Sequence, residues 1–272
     1  MFGEKLENIR KASPLIHNIT NYVTANDCAN ILLACGASPT MADDASEVEE
    51  ITTISNALNI NIGTLNAMVT GMFLAGKKAN ELGRPVVLDP VGAGASRLRT
   101  DTACRLIDEI HFTVIRGNIS EIKTLASGSG TTKGVDADAA DIVTENTLDQ
   151  TIAFVKAFAA KTGAVIAVTG AIDLVADAGR AFVIRNGRPM MGRVTGTGCM
   201  LSAMTAAYLA ANPGAALEAA AAAVCAMGVC GEIALERLQE GEGNATYRNR
   251  LIDAIYHLDA QTLEGRARYE IR

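Results

Sequence analysis

Pro85-Val86-Val87-Leu88-Asp89-Pro90 is an unbroken apolar run that ends abruptly on a carboxylate. Consecutive rather than alternating apolar residues are what a strand needs when helices cover both faces of its sheet. Runs of the same kind stand at Ala57 to Ile62, at Phe112-Thr113-Val114-Ile115-Arg116-Gly117-Asn118 and at Ala164-Val165-Ile166-Ala167-Val168-Thr169-Gly170. Helical spacing fills the intervals over 65–82, 100–109, 119–126 and 147–161. Strand and helix in alternation predict an α/β fold with a mostly parallel central sheet between two layers of helices.

The pattern extends outward from this centre. Upstream, a helix over 4–12 is stopped by Ser13-Pro14, and Leu15 to Thr20 reads as a short strand ending in polar residues. A helix over Val23 to Ala34 closes at Cys35-Gly36, and Ala37 to Met41 is extended. The acidic pair Asp43-Asp44 and a helix over 45–54 complete this half. Downstream, a Gly/Ser/Thr/Asp loop spans 127–138, residues 172–176 and 180–185 predict antiparallel strands, and Arg185-Asn186-Gly187-Arg188 reads as a tight turn. The C-terminal third reads as helix throughout. With no break in composition and no internal repeat, residues 1–272 are expected to form a single domain.

Composition narrows the class of function. The chain has 272 residues, 49% hydrophobic and 20% charged, which is enough for a large core and far from a disordered composition. A net charge of −6 argues against nucleic acid or an anionic membrane as a partner. The most apolar run, Ala219 to Gly231, has 13 residues rich in Ala and Gly, too short to span a bilayer. Six cysteines without a C-x-x-C pair and three scattered histidines make no zinc framework and suit a reduced, cytoplasmic enzyme.

In open α/β sheets ligands bind beyond the carboxyl ends of the strands. Those ends carry Asn61 with Gly63-Thr64, Asp89-Pro90-Val91-Gly92-Ala93-Gly94, Arg116-Gly117-Asn118 with Glu121, and Thr169-Gly170. To them the chain adds Val194-Thr195-Gly196-Thr197-Gly198-Cys199-Met200-Leu201, a glycine turn opening a long apolar helix. Unpaired N–H groups and the helix dipole make such a turn an anion site. Asn118 and Glu121 have the spacing of a capping box. Asp89 and Glu121 can together hold Mg²⁺ through water, and Arg116 can neutralise a transferring phosphoryl group. Cys199, in the first helical turn, is expected to have a lowered pKa. A covalent role for it would need a histidine partner, and His17, His111 and His257 are all remote in sequence.

Several of these stretches, together with Pro14-Leu15-Ile16-His17-Asn18-Ile19-Thr20-Asn21, Gly36-Ala37-Ser38-Pro39-Thr40-Met41-Ala42 and Lys133-Gly134-Val135-Asp136, closely resemble hydroxyethylthiazole kinases of the ribokinase-like superfamily. The matches span about residues 13–200 in the same order. The resemblance implies a ribokinase-like three-layer sandwich and ATP-dependent phosphorylation of 4-methyl-5-(2-hydroxyethyl)thiazole, with Mg²⁺. It implies that Gly196, Thr197, Gly198 and Cys199 form the catalytic anion hole, Cys199 standing where related sugar kinases carry an Asp base. Thr197 departs from the Ala of many relatives. The resemblance places Met41, Gly196 and Asn18 with the thiazole, Arg116, Thr169 and Asn118 with ATP, and Asp89 and Glu121 with the metal. It also implies a homotrimer with active sites between subunits. The competing readings are a kinase for a hydroxymethylpyrimidine or pyridoxal alcohol, a nucleotide-dependent hydrate dehydratase of the same fold, and a non-enzymatic assembly protein using the Ala-rich helices at 215–236.

Overall fold

In the computed structural model, which describes residues 1–66, 69–128 and 141–272, the apolar runs become strands of one sheet. The strands are β1 (Leu15–Ile19), β2 (Ser38–Met41), β3 (Ala57–Asn61), β4 (Val86–Asp89), β5 (Val114–Gly117), β6 (Val165–Val168), β7 (Asp173–Ala176), β8 (Ala181–Ile184) and β9 (Tyr269–Ile271). Their order across the sheet is β2-β1-β3-β4-β5-β6-β7-β8-β9. Neighbours from β2 to β6 pair in parallel, and β6 to β9 pair antiparallel. The helices are α1 (Phe2–Ala12), α2 (Ala25–Cys35), α3 (Val48–Ile54), α4 (Val69–Glu81), α5 (Arg97–Glu109), α6 (Ile119–Ser127), α7 (Leu148–Thr162), α8 (Thr197–Ala211), α9 (Ala216–Glu236), α10 (Asn244–His257) and α11 (Ala260–Arg266). The Lys133-Gly134-Val135-Asp136 stretch and most of the 127–138 loop lie outside the described residues.

Side chains alternate across a strand, so each strand feeds two cores. Ile16, Ala57, Val87, Val114, Ala167 and Val175 pack with α1, α2 and α8 to α11. Leu58, Ile60, Leu88, Ile115, Ile166 and Leu174 pack with α3 to α7 on the other face. Two residues further along the first face the apolar series turns polar: Ile16 leads to Asn18, Ala57 to Asn59 and Asn61, Val87 to Asp89, and Val114 to Arg116. Register sets Asn61 beside Asp89, and Arg116 stands one step beyond the Leu88–Ile115 pair. One face of one end of the sheet therefore gathers the polar strand ends beneath α8.

The antiparallel pairing of the 172–176 and 180–185 segments follows the expectation. Four local readings do not. The C-terminal third is not all helix: Tyr269–Ile271 adds an edge strand to β8, and Tyr269 packs its ring 4.6 Å from that of Phe2 and 5.7 Å from that of Phe182. Arg185 to Arg188 is an irregular connection rather than a tight turn. Asn186 donates to the Arg266 carbonyl at 3.0 Å and accepts from the Arg268 N–H at 2.8 Å, while Glu232 accepts from the Gly187 N–H at 2.9 Å. The Ala219 to Gly231 run is part of a helix of 21 residues, long and apolar enough to cross a membrane by length and composition. Its placement gives the alternative, since 89% of its most apolar stretch is buried inside the protein. Helix α5 also starts earlier than its apolar spacing suggests, because the Ser96 hydroxyl caps the Arg99 N–H at 3.3 Å.

Alanine and glycine on α9 let it approach its neighbours closely. A methyl group added at Gly228 would lie 2.7 Å from Asn186 Cβ and 2.9 Å from its carbonyl carbon. These contacts cannot swing aside, whereas at Gly231 the methyl would meet the flexible Met191 side chain. Gly228→Ala should therefore lower stability by about 1–3 kcal/mol, more than Gly231→Ala does, as read by urea unfolding of the two variants. An unchanged midpoint for Gly228→Ala would show that this approach is not tight.

Candidate active site

Gly196 precedes α8 with φ +87°, a left-handed conformation that favours glycine, and a Cβ there would sit 2.5 Å from Thr24 Cγ2. Among the described residues no side chain caps the helix, so the N–H groups of its first turn face outward. The Arg116 guanidinium lies against that turn: a Cβ at Gly198 would be 2.5 Å from Arg116 Nη1. Glycine at 198 is what lets the cation and the positive helix end share one place, which suits an anion carrying several charges.

Beneath this turn, Asp89 is fully buried and serves as the hub of a polar chain. Its Oδ2 accepts from Ser202 Oγ at 2.8 Å, from Asn61 Nδ2 at 3.0 Å and from Arg116 Nη1 at 3.4 Å. Its Oδ1 is buried and, among the described residues, has no hydrogen-bond partner. Burial pushes the Asp89 carboxyl up from its ordinary pKa, opposed by the Arg116 charge and by the bonds from Ser202, Arg116 and Asn61. Arg116 also donates from Nη2 to Thr169 Oγ1 at 2.5 Å, so the strand ends of β4, β5 and β6 are joined. On the other side Asn61 Oδ1 accepts from Asn21 Nδ2 at 3.1 Å, and Asn21 Nδ2 also donates to Cys199 Sγ at 3.3 Å. The chain runs unbroken from Thr169 to Cys199.

Asn118 and Glu121 form a complete capping box at the start of α6. Asn118 Oδ1 accepts from the Glu121 N–H and Glu121 Oε2 from the Asn118 N–H, both at 2.8 Å. Glu121 Oε1 accepts from the Gly92 N–H at 2.7 Å, holding the glycine loop after β4. Both carboxylate oxygens thus receive backbone donors. Burial, then the nearby Asp89 charge, push the Glu121 carboxyl up to about 7. Among the described residues, no group of three or more His, Cys, Asp or Glu side chains gathers as a metal cage.

Cys199 overturns an expectation. Its thiol pKa is raised, not lowered, because burial and the Asp89 charge outweigh the bonds from Thr24, Asn21 and Asn61. The position in the first helical turn is as expected, but only 9% of the residue is exposed. At neutral pH the side chain is a thiol.

The remaining candidates divide. Thr169 joins the site through Arg116. Asn18 is buried, donating to the Ile16 carbonyl at 2.9 Å and accepting from Asn59 at 3.2 Å, so its amide is committed within the sheet. Met41 ends β2 at the sheet's outer edge and is 40% exposed, not a core residue. His17 fixes the turn after it, with Nε2 2.8 Å from the Ala42 carbonyl. Asn21 and Ser202 were not singled out from the sequence. Ser202 had one available signal, since it follows Cys199 by three positions and shares its helical face. A groove lined by Asn80, Arg84, His111 and Thr113 lies at the opposite ends of the strands and has no part in this cluster.

The hydroxyethylthiazole kinase family profile matches residues 6–261. A hydroxyethylthiazole kinase of Clostridium acetobutylicum is 63% identical over 271 residues, covering 99% of both chains. The chain belongs to the hydroxyethylthiazole kinase family. A solved hydroxyethylthiazole kinase from Pyrococcus horikoshii is similar throughout, with TM-score 0.88, 36% identity, and coverage of 100% of this chain and 98% of the other. An ADP complex of Bacillus subtilis pyridoxal kinase, 17% identical with TM-score 0.56 over 79% of this chain and 90% of its own, shares the fold. The sheet and its two helical layers are thus of the ribokinase-like kind, as the family resemblance implied.

A protonated thiol makes a direct prediction. Iodoacetamide should label Cys199 slowly near pH 7 and faster as pH rises beyond about 9, because the thiolate is the reactive form. Peptide mass spectrometry reads the rate. A rate already at its plateau near pH 7 would show a thiolate and contradict the raised pKa.

Proposed function

We propose that this chain transfers the γ-phosphoryl group of ATP to the hydroxyl of 4-methyl-5-(2-hydroxyethyl)thiazole. The observation that carries the reading is the stacking of the Arg116 guanidinium on the α8 N-terminus at Gly198, directly over Asp89, in a member of this kinase family. The alcohol oxygen attacks the γ-phosphorus, the bond to the β-phosphate oxygen breaks, and its electron pair leaves with ADP. The alcohol proton departs late, to an oxygen of the transferred phosphoryl group and from there to water, so positioning and charge neutralisation contribute more than a strong base. The N–H groups of Thr197, Gly198 and Cys199 and the Arg116 cation receive the negative charge that develops on the phosphoryl oxygens.

Asp89 Oδ1, buried and unpartnered, suits a cation ligand. Asp89 would hold a magnesium ion there, which would supply neutralisation of phosphate charge, as Mg²⁺ does with one or two carboxylates plus substrate phosphates. Glu121, with both oxygens already accepting N–H groups, would act on that ion through water and through its charge. Asn118 starts the same helix and belongs, with Arg116 and Thr169, to the ATP side. Asn18, its amide committed within the sheet, would shape the substrate end of the crevice rather than reach into it.

Met41 and Gly196 would contact the thiazole, and a polarizable thioether suits a flat sulfur heterocycle. Tyr22, Val23 and Met41 are exposed beside the open edge of the sheet. A second copy packed there would cover them and close the site, which supports a homotrimer with active sites between subunits. Six free thiols suit a cytoplasmic location, and the shared sheet suits a single domain over 1–272.

Turnover measured by coupled ADP release should require Mg²⁺ and vanish with excess EDTA, and Asp89→Asn should lower kcat by at least about 10². Full activity in EDTA would remove the metal from the reading. A panel of thiazole, pyrimidine and pyridoxal alcohols in the same assay should give the highest kcat/KM for the thiazole. Preference for another alcohol would overturn the substrate assignment. Met41→Ala should raise KM for the thiazole about tenfold, the loss of one apolar contact, while leaving KM for ATP unchanged. An unchanged thiazole KM would take Met41 out of the substrate site.

A further inference from the structure

Every polar atom of the Asn21 carboxamide has a fixed partner. Its two amide protons go to Cys199 Sγ at 3.3 Å and Asn61 Oδ1 at 3.1 Å, and its Oδ1 accepts from the Thr24 N–H at 3.1 Å. A flipped amide would set its oxygen against Asn61 Oδ1 and its protons against the Thr24 N–H. Asn61 is held the same way: its Nδ2 can only donate to the Asp89 carboxylate, so its Oδ1 must face Asn21 and the Gly63 N–H at 2.8 Å. The polarity set by Asp89 therefore passes through two amides in series and arrives at Cys199 as a donated proton. Gly63 makes room for this, since a Cβ there would lie 2.8 Å from Asn21 Nδ2 and 2.9 Å from Asn61 Oδ1.

We propose that Asn21 is a positioning residue of the phosphoryl-transfer site, which by donating to Cys199 Sγ turns the Cys199 S–H away from itself and toward the acceptor alcohol. This rests on the kinase reading given above. Thr24, just before α2, and Asn61 from β3 also favour the thiolate, Asp89 is the nearby opposing charge, and Cys28 from α2 stays protonated with its thiol pushed up to about 12. The thiol then acts as a donor to oxygen at the mouth of the crevice, beside the backbone N–H groups of the α8 turn. No bond to sulfur forms or breaks.

Asn21→Asp keeps the shape of the side chain and its bond to the Thr24 N–H but removes both donors. Its kcat should fall about tenfold with KM for ATP unchanged, the loss expected for one oriented donor. In a Cys199→Ala background, which keeps the backbone N–H groups and measurable turnover, the same substitution should cost less than about twofold, because the two residues act as one unit. Equal losses in both backgrounds would mean that Asn21 merely shapes the loop, and would overturn the proposal. In the ligand-free protein, Asn21→Asp should also slow iodoacetamide labelling of Cys199 about tenfold, since a donor that favours the thiolate is replaced by a like charge. Unchanged labelling would likewise overturn it. Labelling needs no substrate, so a wild-type protein inactive on the thiazole would refute the kinase reading and leave this coupling measurable. Should Asn21→Asp not fold, Asn21→Ser carries the same cycle.

Discussion

A carboxylate out of water must be paired or it will not stay charged, and Asp89 is fully buried. Its partners come from three separate elements: Asn61 from β3, Arg116 from β5 and Ser202 from α8. Meeting one electrostatic requirement therefore fixes the lateral register of three strands and the depth at which α8 lies on them. Removing any one partner would leave part of a buried charge uncompensated, which costs more than a surface ion pair could ever contribute. The other Asp89 oxygen is buried and, among the described residues, has no hydrogen-bond partner. The folding requirement and the chemical opportunity are two ends of one carboxylate.

Small residues make this depth attainable. Ser202, Ala203, Ala206 and Ala207 are all buried on α8, and the α9 run from Ala219 to Ala223 is buried behind it. Helices so lined pack closely because few side chains hold them apart, and the core gains its area from backbone and methyl contacts rather than from aromatics. Phe2, Phe182 and Tyr269 form one aromatic cluster, at the antiparallel side of the sheet and away from the polar strand ends. The positive potential at the crevice is local too. In a chain of net charge −6, an anion is drawn by the helix end and Arg116, not by the molecule as a whole.

What the sequence discloses follows from how local each signal is. β4 and β6 are legible because a strand buried on both faces must be apolar at nearly every position, and Asp89 and Thr169 stand out as the first polar residues after such runs. β9 is not legible: three residues near the end of the chain acquire strand structure only by pairing with β8, and Tyr269, Glu270 and Ile271 show no pattern of their own. Arg185 to Arg188 misleads because Asn-Gly is a turn signal only when nothing distant claims the asparagine, and here Arg266 and Arg268 do. The family motifs pointed to Asp89, Arg116, Glu121 and the 196–199 turn, and the fold brings these together. Asn21 and Ser202 gain meaning only when the sheet and α8 set them against Cys199 and Asp89.

The error over Cys199 shows which term governs the site. The helix end favours a thiolate there, but burial and a carboxylate already present below oppose it and prevail. The charge balance explains why a neutral group suits this position. Asp89 and Glu121 are close enough for one to raise the other's pKa, and the Arg116 guanidinium stands against both. A third anion at 199 would have to be matched by a further cation or would force one carboxyl to take up a proton. A thiol avoids that cost while keeping a polar atom beside the helix N-terminus. It leaves the negative charge of the crevice to whatever phosphate enters, and the positive groups of α8 and Arg116 free to receive it.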